Sequence, residues 1–136
     1  MDYNLRPGLV GEAHLLVREE QTAQHLGSGG LLVLATPEMV RLMEQASVAA
    51  VDPLLPAGHQ TVGVHLDVRH IAATPLGLQV TARAELLEVN DRRLTFRVEA
   101  FDEVERIGEG IHERVIISAE RFQARVQAKQ TKSTAA

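Results

Sequence analysis

The stretch that decides the fold is Leu34-Ala35-Thr36-Pro37-Glu38-Met39-Val40-Arg41-Leu42-Met43-Glu44-Gln45-Ala46-Ser47-Val48-Ala49-Ala50-Val51. It reads as one helix. Thr36 is placed to cap it, because a threonine hydroxyl can accept from the free amides of a first turn. Pro37 suits the first helical position, where no amide hydrogen is needed, and Glu38 sits at the positive end of the helix dipole. Behind them the segment is apolar on nearly every side, which predicts a largely buried helix. Arg41 can carry its charge outward along its aliphatic stem. Glu44, among Val40, Met43 and Val48, is the anomaly, since burying an unpaired carboxylate costs several kcal/mol. Either it pairs with Arg41 or an arginine of the sheet, or it is kept for chemistry.

Upstream, residues 11–18 alternate Ala13, Leu15 and Val17 with polar neighbours, the pattern of a half-buried strand. Residues 19–26 suit a short helix. Gly27-Ser28-Gly29-Gly30 follows, with neither the preceding strand nor the lysine that a phosphate loop needs, so it reads as a mobile loop. Leu31–Ala35 suggests a brief strand. Downstream, Pro53, Pro56 and Gly58 stop the helix. From about Gln60 the period becomes two. Val62, Val64, Leu66 and Val68 form one face of a strand that breaks at residues 70–77. Leu78–Leu86 and Leu94–Ala100 form two more strands, joined at Asn90-Asp91. A turn near Asp102–Arg106 leads to a last strand through Ile107, Ile111, Val115 and Ile117. Within it Gly108 and Gly110 suggest a bulge or a close backbone approach. The tail, Ala119–Ala136, predicts a short helix fraying after about Gln127.

Connections this short exclude parallel crossovers. The expectation is therefore an α+β domain spanning residues 1–136, an antiparallel sheet curled around one long helix. Its strand edges need covering, and a homodimer or higher homo-oligomer is the simplest cover. The net charge of −4 argues against nucleic acid or an anionic membrane as partner. Three Phe, one Tyr and no Trp offer few stacking platforms for single strands. With no cysteine, thiolate chemistry and cysteine-ligated metals are excluded. The histidines are too scattered to suggest a metal site. There is no apolar run long enough to span a membrane and no signal-like N-terminus, so a cytoplasmic location is expected.

Of the six histidines, His14, His25, His59 and His65 read as surface residues and His112 as structural or supporting. His70 closes a strand just before Ala72-Ala73-Thr74-Pro75. A neutral imidazole there can take a proton from a hydroxyl or a water near neutral pH, or simply bond a local carbonyl.

Several motifs together resemble the fluoroacetyl-CoA thioesterase branch of the hotdog superfamily. They are Ala35-Thr36, Met39-Val40, Leu42-Met43-Glu44, His70-x-Ala72-Ala73-Thr74-Pro75-x-Gly77-Leu78, Arg92-Arg93-Leu94 and Ile107-Gly108-x-Gly110-x-His112-Glu113-Arg114. The resemblance covers about residues 30–125. It implies a hotdog fold, five antiparallel strands around the central helix, and hydrolysis of acyl-CoA thioesters with Thr36, Glu44 and His70 as catalytic residues. Glu44 can then activate water, attack the thioester, or orient His70. CoA enters as part of the substrate, with no separate cofactor. A family member selecting fluoroacetyl-CoA has phenylalanines in its lid. The segment Gly27–Val33 has none, which implies several short acyl chains with little preference for a fluorinated one.

Thioester chemistry also needs oxyanion donors, for which the Gly63 amide or the free amides of the helix N-terminus are available. Arg92 and Arg93 can meet the CoA phosphates, or can simply be solvated. Eight residues of helix advance about 12 Å, so Thr36 and Glu44 of one chain can hardly touch. Either His70, water or substrate spans that gap, or the residues converge from two subunits. The rival functions are an enoyl-CoA hydratase-type enzyme and a non-catalytic acyl-CoA or metabolite-binding module.

Overall fold

In the computed structural model, which describes residues 3–135, one long helix lies across the inner face of a curled antiparallel sheet. The described residues form β1 (Val10–Leu16), a single-turn α1 (Ala23–Leu26), α2 (Thr36–Val51), β2 (His59–His70), β3 (Gln79–Asn90), β4 (Arg93–Phe101), β5 (Arg106–Ser118) and α3 (Ala119–Ala135). The five strands are ordered β1-β3-β4-β5-β2, so β1 and β2 are the edges. This is the α+β hotdog architecture expected from the sequence.

The central helix is buried through Met39, Leu42, Met43, Ala46, Ala50 and Val51. They meet the inward residues of β3 and β4, Val80, Ala82, Ala84, Leu86, Leu94, Phe96, Val98 and Ala100, all fully buried. The alanines in that set leave room for a helix to lie directly on the sheet. At Gly11 of β1 the approach is closest. A Cβ there would stand 2.5 Å from the Ala50 amide nitrogen and against the Ala46 carbonyl, backbone atoms that cannot turn aside. Gly108 and Gly110 also mark close approach, to Met39 and to the Asp67–Val68 backbone, and the β4–β5 register shifts just before Gly108, where Ile107 is the extra residue.

A further bulge, in β2, shapes the site. The β2–β5 register shifts between Gly63 and His65, leaving Val64 as an extra residue. Before it, Gly63 pairs with the buried, inward Arg114. After it, Leu66 pairs with the buried, inward His112. The extra residue reverses which parity faces the helix. Thr61 and Gly63 therefore point inward, and so do Leu66, Val68 and His70. The single face expected from Val62 to Val68 is split, and Val64 (49% exposed) and Leu66 (40%) remain open on the edge strand.

Four further expectations are corrected. The N-cap of α2 is Ala35, with no side-chain cap bond, and Thr36 is the first helical residue, its hydroxyl turned elsewhere. Leu31–Ala35 makes only isolated bridges, Thr22 with Leu34 and Val33 with Pro75. The tail does not fray near Gln127, and α3 continues to Ala135. Glu44 is not sealed in the core, since its side chain is 39% exposed.

Gly11→Ala should destabilise the protein by about 1–3 kcal/mol, the scale for overpacking a filled site. Denaturant unfolding checks this, and unchanged stability would show that the helix can lift off β1.

Candidate active site

The inward residues of α2, β2 and β5 form two polar clusters. The first is at the N-terminus of α2. Thr36 Oγ1 lies 2.7 Å from His70 Nδ1. Because Thr36 is the first helical residue, its hydroxyl is free of capping and can reach the strand end. Burial pushes the His70 pKa below the ordinary 6.5, an effect offset in part by the Ala72 backbone. The neutral imidazole is thereby favoured, and with the proton on Nε2 it can accept from the threonine. His70 Nε2 is itself buried and has no hydrogen-bond partner among the described residues. A cavity of about 330 Å³ opens beside the pair, lined by Ala23, Ser28, Val33, Leu34 and Ala72 among others.

The wall of that cavity is the segment after α1. Gly27 ends the helix in the left-handed conformation. The chain then returns so that Ala23 N donates to Val33 O (2.8 Å) and Leu34 N to Thr74 O (2.8 Å). Thr74 is in turn held by Asp102 (2.8 Å). The glycine-rich stretch is thus closed at its base, with Leu31 and Leu32 exposed and no Phe, Tyr or Trp among the described residues that line the cavity.

The second cluster surrounds Glu44. Arg114 Nη1 donates to Glu44 Oε2 at 3.3 Å and to His112 Nε2 at 3.1 Å. Its Nε donates to Thr61 Oγ1 (2.8 Å) and its Nη2 to Thr61 O (3.0 Å). Thr61 Oγ1 donates onward to Asp52 Oδ1 at the end of α2 (2.6 Å). A guanidinium only 7% exposed is thus satisfied on every nitrogen. Of the two partners expected for Glu44, the sheet arginine is the one present, while Arg41 pairs with Glu38 instead.

His112 Nδ1 lies 2.8 Å from the His65 carbonyl. A carbonyl only accepts, so the proton is on Nδ1 and Nε2 is the acceptor for Arg114. The ring is therefore neutral. Burial foremost, with the Arg114 charge, pushes its pKa down, against the opposing pull of the His65 carbonyl and Glu44. Gly63 completes this cluster. A Cβ on it would stand 2.8 Å from Glu44 Oε2 and 3.2 Å from His112 Cε1.

The structure brings Thr36 to His70, and Glu44 to Gly63, but holds the two clusters apart. Along α2 the separation of Thr36 and Glu44 is about 12 Å. Arg92 and Arg93 join neither cluster. Arg93 pairs with Val115 across the sheet, whereas His70 pairs with Gly108. Seven residues of β5 separate those positions, about 23 Å. Arg93 donates to Glu113 on the outer sheet face (3.1 Å). Arg114, Thr61 and Asp52 were missed as site residues by reading the sequence. The available signal was an arginine at an inward position of an otherwise apolar strand. Among the described residues no group of three or more His, Asp or Glu is placed to hold a metal ion.

His112 and His70 are both held neutral, so stability has a definite pH dependence. Unfolding restores an ordinary imidazole of about 6.5 that binds a proton more readily than the folded one. Stability should therefore fall as the pH drops through about 6.5 toward the folded-state values, by at most about 1.4 kcal/mol per pH unit per histidine. His112→Gln cannot titrate and should flatten that slope. An unchanged slope would show that His112 is not the titrating group.

The family model described as fluoroacetyl-CoA-specific thioesterase matches residues 17–120. The fluoroacetyl-CoA thioesterase of Streptantibioticus cattleyicolor is 50% identical over 97 residues, 71% of this chain and 70% of that protein. The crystal structure of the fluoroacetyl-CoA thioesterase FlK superposes with a TM-score of 0.86 at 42% identity, covering 93% of this chain and 98% of the other. A hot-dog-like protein from Thermanaerovibrio acidaminovorans gives 0.86 at 26% identity, over 95% of this chain and 97% of that one. The motifs, the wrapped helix and these matches agree: the chain belongs to the fluoroacetyl-CoA-specific thioesterase family, whose enzymes hydrolyse acyl-CoA thioesters.

Proposed function

We propose that this protein is a cytoplasmic homodimeric thioesterase that converts short-chain acyl-CoA to the free acid and CoA, using Thr36, His70 and Glu44 and no metal or other cofactor. The observation that carries the proposal is the 2.7 Å contact between the Thr36 hydroxyl and His70 beside a cavity walled by small side chains. The Thr36 oxygen attacks the thioester carbonyl as its proton passes to His70 Nδ1. The imidazolium then protonates the departing CoA sulfur, and water hydrolyses the acyl-threonine, returning the proton to Thr36 through His70. Walls of Ala23, Ser28, Val33 and Ala72, with no Phe, Tyr or Trp among the described lining residues, suit several short acyl groups.

The separation of the clusters supports a dimer. Residues Gly63–Asp67 of edge strand β2 are all exposed. An antiparallel pairing of two β2 strands about a two-fold between His65 and Leu66 matches the inward faces on either side of the bulge, setting Gly63 opposite Val68 and Thr61 opposite His70. The partner's His70 then lies near this chain's Gly63 and Glu44, and a carboxylate becomes available to the unpartnered Nε2. The Gly63 amide, at the interrupted ladder, is the oxyanion donor in this arrangement.

Incubation of acyl-CoAs with a thiol reagent tests the reading. Free CoA should appear from acetyl-, propionyl- and butyryl-CoA, with no large kcat/KM preference for fluoroacetyl-CoA. His70→Ala should lose on the order of 10²–10⁴ in rate. Activity should fall on acidification only below pH 6.5, because the His70 pKa is depressed. Thr36→Ser should retain more activity than Thr36→Ala. No CoA release from any substrate would contradict the proposal, and full activity in His70→Ala would remove its mechanism.

A further inference from the structure

In the motif His70-x-Ala72-Ala73-Thr74-Pro75 the chemistry described so far uses His70 and leaves Thr74 without a task. Thr74 lies in the loop between β2 and β3, which has no helix or strand of its own. Of residues 71–78 it alone is buried, at 0% exposure. Its Oγ1 donates to Asp102 Oδ2 (2.8 Å) in the turn between β4 and β5. Asp102 Oδ1 accepts from the amides of Val104 (2.8 Å) and Glu105 (2.9 Å), which fixes the carboxylate within its turn. Burial works against ionising Asp102, but those two amides and the Thr74 hydroxyl outweigh it and hold the carboxyl below the usual carboxylate value. The carboxylate is therefore the acceptor and the threonine the donor, in a charge-assisted bond. The ends of the loop are held from the same side of the fold. Ile71 N donates to Ile107 O (2.7 Å) and Gln79 N to Glu103 Oε2 (2.9 Å).

This loop joins the two halves of the Thr36–His70 pair. On one side it continues directly from His70. On the other, Thr74 O accepts from Leu34 N (2.8 Å) and Pro75 bridges Val33, just ahead of Thr36 in the chain. Between those anchors Ala72 and Ala73 line the cavity. Where the loop holds Leu34 relative to the end of β2 therefore sets how closely the Thr36 hydroxyl meets the imidazole. Reacting groups need support of this kind, because a misplacement of about 1 Å can cost on the order of a hundredfold in rate. Resting on the proposed roles of Thr36 and His70, we propose that Thr74 and Asp102 are positioning residues for that pair. Their hydrogen bond fixes the Thr74 carbonyl, and the carbonyl fixes the Leu34 backbone that leads into Thr36. Neither residue is among the described lining residues of the cavity, so both act through the loop.

Two measurements on the full-length protein test this. The first is acetyl-CoA hydrolysis by variants shown to be folded by circular dichroism. Thr74→Val keeps the branched shape and removes the hydroxyl, and should lower kcat about tenfold to a hundredfold with KM little changed. Thr74→Ser restores the hydroxyl and should recover most of the loss. Asp102→Asn keeps an oxygen for the Val104 and Glu105 amides and turns a nitrogen to Thr74. It should show the same loss, and it carries the test if Thr74→Val does not fold. Leu5→Ala truncates the core outside the cavity lining and should lose stability while keeping the wild-type kcat. The second measurement is an NMR titration of His70, the one titratable group among the described lining residues. Its pKa, depressed by burial, should rise toward the ordinary 6.5 in Thr74→Val and stay depressed in Thr74→Ser. If acetyl-CoA is hydrolysed and Thr74→Val and Asp102→Asn keep the wild-type kcat and His70 titration, the proposal is overturned and the thioesterase reading stands. A loss of kcat that Thr74→Ser does not recover, or that Leu5→Ala equals, also overturns it. If no thioester is cleaved yet the His70 titration moves in Thr74→Val and returns in Thr74→Ser, the Thr74–Asp102 brace stands and the thioesterase reading fails.

Discussion

At Val64 the edge strand β2 carries one residue more than β5 opposite it, and the geometry of both polar clusters follows from that. A strand alternates its side chains, so residues an odd number apart, such as Gly63 and His70, belong on opposite faces. The bulge reverses the alternation between them. Gly63 can then lie under Glu44 while His70 turns inward to Thr36. A regular strand could satisfy one contact and would turn the other side chain to solvent.

The neighbouring strand β5 carries the electrostatic order of the second cluster. Arg114 is surrounded by a carboxylate, a neutral imidazole, a hydroxyl and a carbonyl, so its burial leaves no donor nitrogen unmatched. Burial of His112, and after it the charge of Arg114, disfavours protonation of that ring. Glu44 is fixed at the rim with 39% of its side chain exposed, fit to interact with something outside its own chain. The first cluster shows the complementary feature, a buried His70 Nε2 lacking a partner.

Much of this was legible in the sequence, for identifiable reasons. The central helix, the strand order along the chain and the hairpins follow from periodicity and punctuation. Glu44 stood out as a charge on an apolar helix and His70 as a strand-end imidazole, the resemblance joined them to Thr36, and the 2.7 Å Thr36–His70 contact is consistent with a joint role. What alternation could not disclose was a break in alternation, and so β2 was given one apolar face where the structure has two half-faces. The N-cap was misplaced by one residue because a threonine before a proline satisfies the capping rule whether or not its hydroxyl bonds the helix. Arg114 was hidden because its partners lie 53 and 70 residues away in sequence. The hairpin arginines could be recognised as cations, but their distance from His70 is a property of the sheet.

The central claim is that a working site takes Thr36 and His70 from one subunit and Glu44 from the other. A mixing experiment tests it most directly. His70→Ala and Glu44→Gln are each expected to be inactive alone. Unfolded together in equal amounts and refolded, they should form mixed dimers in half of the population. Each mixed dimer carries one site with both residues intact, which restores up to about a quarter of wild-type activity by the symmetry of the dimer. If mass spectrometry shows that mixed dimers have formed and no activity returns, the residues act within one chain and the account is wrong.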